Sequence, residues 1–194
     1  MYSFRSPSIR SIAGILSVLL LLLFPFSRTQ AQIGLWSEVS FRSIPDQAKP
    51  VPELPSLEKG ALFQLNISGM QARCAAAPGE FSVAAADATI VSLPLPDGSF
   101  QTFQILESPL MEPALAARYP EIKTYLLKGI DDPLARGRMS VSPEECGAYF
   151  TSHQFDQEVM IRKVFKDDPF TYLTYWAKDH PEQTVSCMRD NSLD

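Results

Sequence analysis

Residues 88–109 read ATIVSLPLPDGSFQTFQILESP. The central Asp97-Gly98 pair is typical of a hairpin turn, because glycine tolerates a positive φ and aspartate can bond its own backbone. Pro94 cannot donate a ladder hydrogen bond, so its arm is expected to lie at a sheet edge or to bend there. Alternation on both arms predicts a half-buried antiparallel strand pair. The residues that share a face are Val91, Leu93 and Leu95 on one arm and Phe103 and Ile105 on the other.

Residues 1–31 have the composition of a secretory signal peptide. They contain Arg5, Arg10 and Arg28, no acidic residue, and an almost wholly apolar run over residues 12–26. Thr29-Gln30-Ala31 is a suitable cleavage site, and a spanning helix would need roughly 20 apolar residues without the break at Pro25. We therefore expect cleavage after Ala31, no stable membrane span in the mature chain, and a secreted, periplasmic or cell-surface location.

The mature chain is predicted to be acidic. Taking the three arginines of the signal segment from 17 basic side chains leaves 14 against 22 acidic ones, a net charge of −8. Such a balance argues against nucleic-acid partners and against anionic membrane surfaces.

The rest of the chain is rich in short strand patterns. Seven further strands are expected, at residues 35–41, 61–67, 121–127, 134–141, 148–152, 158–165 and 170–176. Two short helices are predicted at 69–77, capped by Ser68, and at 112–118, stopped by Pro120. Short turns join most neighbouring strands, so the fold class is α+β, with a predominantly antiparallel β-sheet and about two short helices.

Four segments follow from these patterns. Residues 1–31 are the signal peptide, and residues 32–57 are an N-terminal strand followed by a connector with four prolines, which we interpret as an extended spacer. Residues 58–178 form the β-rich module, and residues 179–194 form a polar tail.

The sequence contains no recognisable catalytic set. His153 and His180 are isolated, and neither His-Glu-x-x-His, Cys-x-x-Cys, Gly-x-Ser-x-Gly nor a glycine-rich phosphate loop occurs. The acidic pairs Asp131-Asp132 and Asp167-Asp168 are interpreted as turn residues. Paired carboxylates of the glycosidase type leave no linear signature, so that class stays open. We expect no cofactor and no enzymatic activity.

The three cysteines differ in their surroundings. Cys74 falls on the apolar face of the first helix and is expected in the core, whereas Cys146 lies at a strand start. Cys187 lies in the tail. Two interpretations stay open for it: a Cys146–Cys187 disulfide, or a free thiol that binds something outside this domain.

Several motifs together resemble the N-terminal pro-region of bacterial secreted zinc metalloproteases of the reprolysin-like type. The resemblance covers most of the mature chain, and its specific part is residues 94–133. The matching motifs are Leu35-Trp36, Leu62-Phe63-Gln64-Leu65, Ala77-Pro78, Leu93 to Gly98, Phe103, Glu107 to Pro113, Leu115 to Tyr125, Gly129 to Pro133 and Lys178-Asp179.

This resemblance implies a folding aid and latency region whose partner is a zinc metalloprotease catalytic domain. No His-Glu-x-x-His helix follows before Asp194, so protease activity is not carried over to this chain. Cys187 occupies about the place where such pro-regions can offer a thiolate to the catalytic zinc, as a metal-ligating switch residue. The alternative function is a stand-alone exported β-rich binding module with an unrelated ligand.

Overall fold

The computed structural model describes residues 34–44, 50–82 and 89–181. Within them the chain forms nine β-strands and two short α-helices, which confirms the predominantly antiparallel β class. The helices are α1 (Ile67–Cys74) and α2 (Pro113–Ala116). The strands are β1 (Trp36–Val39), β2 (Gly60–Leu65), β3 (Thr89–Pro94), β4 (Phe100–Glu107), β5 (Lys123–Gly129), β6 (Arg136–Val141), β7 (Cys146–Ser152), β8 (Gln157–Phe165) and β9 (Asp168–Trp176).

All strands belong to one sheet, in the order β1-β2-β9-β8-β7-β6-β5-β4-β3. Strands β3 to β9 form a meander of consecutive antiparallel pairs, and β9 then pairs with β2. The hairpin expected around Asp97-Gly98 is confirmed, with Val91 opposite Phe103 and Leu93 opposite Gln101. β3 is an edge strand, as Pro94 predicted.

The sheet curls strongly, which brings distant strands into contact. Phe63 on β2 and Phe100 on β4 lie six strand spacings apart in the sheet order, about 29 Å if the sheet were flat. Their ring centroids are 5.6 Å apart. The hydroxyl of Thr174 on β9 donates a hydrogen bond of 3.1 Å to the carbonyl of Pro94 on β3. The sheet therefore has a concave inner face and a convex outer face.

The main hydrophobic core fills the inner face. Along each strand, except at its ends, alternate residues point into this core, as period-2 patterning requires. Trp36 packs edge-on against Phe63 and Tyr172, and Phe103 against Phe150, with ring centroids 4.8 to 6.4 Å apart. Helix α1 adds Met70 and Cys74, which share one of its faces.

A second, smaller core lies on the outer face of β2, β8 and β9. The proline-rich segment 50–57 packs there, because the backbone N–H of Val51 donates to the carbonyl of Val164 at 2.8 Å. Leu54 and Leu57 contact a cluster formed by Leu62, Val164, Leu173 and Tyr175. This part of the connector is thus a packed cover of the sheet, which the interpretation as a spacer missed. Residues 45–49 lie outside the described residues.

Several element boundaries differ from the sequence predictions. Helix α1 begins at Ile67 because the side chain of Asn66, not of Ser68, accepts a hydrogen bond from the Gly69 N–H at 2.9 Å. Helix α2 is a single turn, shorter than the predicted 112–118.

Two strands begin two residues earlier than predicted. Cys146 is the first residue of β7, and Asp168 is the first residue of β9 rather than part of the preceding turn. In the described residues no helix is long and apolar enough to cross a membrane. The predicted signal segment lies outside the described residues.

Candidate functional site

Cys74 and Cys146 are free thiols enclosed in the inner core, with 2% and 1% of their surface exposed. Burial raises the pKa of Cys74 to about 12, and the charge of nearby Arg73 offsets only part of that effect. Burial also raises the pKa of Cys146, and the charges of Cys74 and Glu145 act in the same direction. Reactivity and metal binding require the thiolate, so these two cysteines serve as small core residues.

The described chain ends on the outer face, beside β9. A hydrogen bond of 2.9 Å joins the hydroxyl of Tyr175 to Nδ1 of His180, and the two rings stack with centroids 6.0 Å apart. Lys59 and Asp179 form an ion pair at 3.8 Å. These contacts hold the first two residues of the predicted tail, Asp179 and His180, against the rest of the module. The predicted switch residue, Cys187, lies six positions beyond Pro181 and outside the described residues.

The acidic pair Asp131-Asp132 organises the turn between β5 and β6. The Asp131 carboxylate accepts from the N–H of Thr102 at 2.8 Å. The Asp132 carboxylate accepts from the N–H of His153 at 2.7 Å and from that of Leu134 at 3.1 Å. Slight burial acts to raise the pKa of Asp132, but backbone hydrogen bonds from His153, Leu134 and Gln154 hold it below its ordinary value. This is the turn chemistry that the sequence indicated.

The second acidic pair has a similar role at the start of β9. The Asp168 carboxylate accepts from the N–H of Phe170 at 2.8 Å and from the hydroxyl of Thr171 at 2.6 Å. Across the described ranges no three His, Cys, Asp or Glu side chains converge to hold a metal ion.

The outer face of β6, β7 and β8 carries an open groove of about 390 Å³, which we call the outer groove. It adjoins the part of the same face that segment 50–57 covers, and Met160 belongs to both regions. Its lining residues are Leu110, Thr124, Arg138, Met139, Ser140, Glu145, Gly147, Ala148, Tyr149, Met160 and Arg162.

Strand register explains how the groove residues come together. Arg138 lies opposite Tyr149, and Tyr149 lies opposite Met160, so these three form one row across three strands. Ser140 lies opposite Gly147 in the adjacent row, where the small residues leave a trough. The sequence analysis did not identify this site. The signal was present as polar or small residues at outward positions of three neighbouring strands, but it can be recognised only when the register is known.

Comparisons with protein-family models, with curated proteins and with solved structures gave no match.

Proposed function

We propose that this protein is an exported prodomain-like module of a secreted reprolysin-like zinc metalloprotease precursor. It acts as a folding aid and latency region, has no catalytic activity of its own, and binds the catalytic domain of such a protease. The motif resemblance over residues 94–133 is the sequence support for this function. Cleavage after Ala31 would deliver it to the periplasm, the cell surface or the medium.

The observation that carries the proposal is the contrast among the cysteines. Cys74 and Cys146 are enclosed in the core, whereas Pro181, the last described residue, is exposed. Six further residues could extend about 20 Å, so Cys187 can reach beyond the module. A thiolate in the open position of a catalytic zinc would displace the water that attacks the peptide bond.

The test uses a related zinc protease from which its own pro-region has been removed. The mature chain beginning at Gln32 should slow hydrolysis of a peptide substrate, and Cys187→Ser should weaken that inhibition. Ser186→Ala is the matched control in the same segment and should inhibit like the wild type. Cys74→Ser should mainly lower stability. Equal inhibition by wild type and Cys187→Ser would contradict the zinc-ligand role.

A second measurement tests the folding and latency role apart from the thiol. The mature chain should raise the yield of active protease when the denatured catalytic domain is refolded in its presence. Absence of both inhibition and assisted refolding would contradict the prodomain function. Casein cleavage by the purified mature chain itself, dependent on zinc and abolished by chelator, would contradict its non-catalytic character.

The second candidate function is an exported β-rich binding module with an unrelated ligand. The outer groove favours it, since all of its described lining residues lie between Leu110 and Arg162, before the tail. Binding at the groove with no effect on any metalloprotease would favour this function over the first.

A further inference from the structure

We infer that the outer groove binds an extended segment of another protein, with an aspartate or glutamate carboxylate placed between Arg138 and Arg162 and apolar side chains beside it. The inference is independent of the proposed prodomain function. It depends on the charge, the shape and the surroundings of the groove.

The two arginines provide unused hydrogen-bonding capacity. Arg138 donates from Nη1 to the carbonyl of Ser108 at 3.4 Å and to its hydroxyl at 3.3 Å. In the described part of the chain the Arg162 side chain makes no hydrogen bond, and neither arginine is ion-paired, since the ion pairs there are Lys59–Asp179 and Lys123–Glu107. A guanidinium has five N–H donors in a planar fork that matches a carboxylate.

The charge of the groove favours one carboxylate rather than a polyanion. Glu145 also lines the groove, and the chain as a whole has a net charge of −5. Glu158 lies close enough to the Tyr149 hydroxyl to raise its pKa, so a second acid adjoins the groove. A strongly anionic surface such as nucleic acid or a charged membrane would meet repulsion around two arginines. A peptide with a single acidic residue between apolar residues would not meet this repulsion.

The fold does not require the glycine at position 147, where the trough lies. A Cβ at Gly147 would meet the Ser140 hydroxyl at 3.4 Å and the Ile161 carbonyl at 3.9 Å, which are ordinary contacts. By contrast, a Cβ at Gly137 would lie 2.2 Å from the Tyr149 carbonyl. Glycine is therefore sterically required at position 137 but not at 147. Its effect at 147 is to leave room for a ligand above the sheet.

The side chains around the groove are of the types found at the centres of protein–protein interfaces. Leu110 is 63% exposed and Tyr149 is 42% exposed, and Met160 completes the apolar side. Aromatic residues, methionine and arginine are enriched where protein partners bury their side chains.

The neighbouring half of the outer face shows what kind of occupant such a surface accepts. Segment 50–57 lies on it with one backbone hydrogen bond to Val164 and with Leu54 and Leu57 directed into the small core. The outer groove continues this surface through Met160. An extended segment with apolar anchors is thus the form that already packs on this sheet, and the arginines add the selectivity for an acid.

The experiment is a selection of displayed random dodecapeptides on the mature chain, followed by fluorescence anisotropy with the best synthetic peptide. We expect selected peptides to share one acidic residue flanked by apolar residues. Arg138→Ala and Arg162→Ala should each weaken binding at least about 10-fold, since a charge-assisted hydrogen bond is lost. Arg162→Lys should give an intermediate loss, because the charge stays but the planar fork does not.

Two variants separate binding from folding. Gly147→Val should abolish binding by filling the trough, while its midpoint of unfolding stays equal to or above that of the wild type because valine favours strands. Arg73→Ala removes an exposed arginine from α1, a helix that packs on the inner core and does not line the groove, and should bind like the wild type. Failure to select any peptide, a basic consensus, or equal binding by Gly147→Val would overturn the inference. Binding to anionic lipid vesicles, with no peptide binding at all, would overturn it as well.

Discussion

The inner and outer faces of the sheet are covered in different ways. On the inner face, side chains of all nine strands and of α1 form one continuous core. On the outer face, among the described residues, segment 50–57 covers the side near β2 and β9, and the side over β6 to β8 forms the outer groove. The difference indicates that inner residues serve stability, whereas the uncovered outer residues are free to serve recognition.

The largest expected effect comes from the inner face. Phe103→Ala removes a fully buried ring that packs 4.8 Å from Phe150, and should lower the free energy of unfolding by about 3–5 kcal/mol. Urea denaturation of the mature chain measures this loss. The matched control is Phe81→Ala, because Phe81 is 97% exposed and its removal should change stability by less than about 0.5 kcal/mol. Similar effects of both variants would contradict the assignment of the inner core.

The thiols of the inner face should be protected from alkylation. Because burial raises the pKa of Cys74 and Cys146 and excludes reagent, modification of the native protein at pH 8 should be more than about 100-fold slower than in urea. Mass mapping after iodoacetamide treatment identifies each site. Reaction rates of Cys74 in the native and unfolded protein within a factor of about ten would show that the core opens readily.

The covered side of the outer face should contribute less to stability. Leu54→Ala shortens a partly buried side chain of segment 50–57 and should cost about 1–2 kcal/mol, below the value for a fully buried leucine. The exposed neighbour Glu53 gives the control, since Glu53→Ala should stay within about 0.5 kcal/mol of the wild type. A neutral Leu54→Ala variant would indicate that the segment rests on the sheet without stabilising it.

The smallest expected effect concerns the turn at Asp132. Its folded-state pKa is lower than the ordinary value of 3.8, so its contribution to stability is fully present above that value. The contribution is lost as the pH falls through the lower folded-state pKa. Asp132→Asn should therefore show a smaller decline of the melting temperature than the wild type between pH 5 and pH 2. Parallel declines of the melting temperature in both proteins would show that this carboxylate does not contribute to the acid sensitivity of the fold.

Local patterns in the sequence predicted much of the sheet. The hairpin follows from Asp97-Gly98 and from alternation, which depend on residues close together in the chain. For β5 the sequence predicted a strand at residues 121–127, but only the tertiary structure shows that Tyr125 and Leu127 face the core. A strand pattern gives the period and not which side meets the rest of the molecule.

Long-range features could not be predicted in the same way. The packing of segment 50–57 depends on Val164 and Leu173, which are more than 100 positions away in the sequence. The outer groove requires the register of three strands, because Arg138, Gly147 and Arg162 carry no motif by themselves. The predicted role of Cys187 stays a prediction, since the residue lies outside the described ranges.

The pairing of β2 with β9 has a consequence for the order in which the molecule assembles. Phe63 lies opposite Tyr172, so the two paired residues are 109 positions apart along the chain. During synthesis from the N-terminus, β1 and β2 emerge first and can pair with each other, but the strand that joins them to the rest of the sheet, β9, is made last. The meander from β3 to β9 needs only neighbouring contacts and can form as a template, whereas closing the loop to β2 carries the larger entropic cost. The strands that are synthesised first, β1 and β2, are therefore expected to join the sheet last.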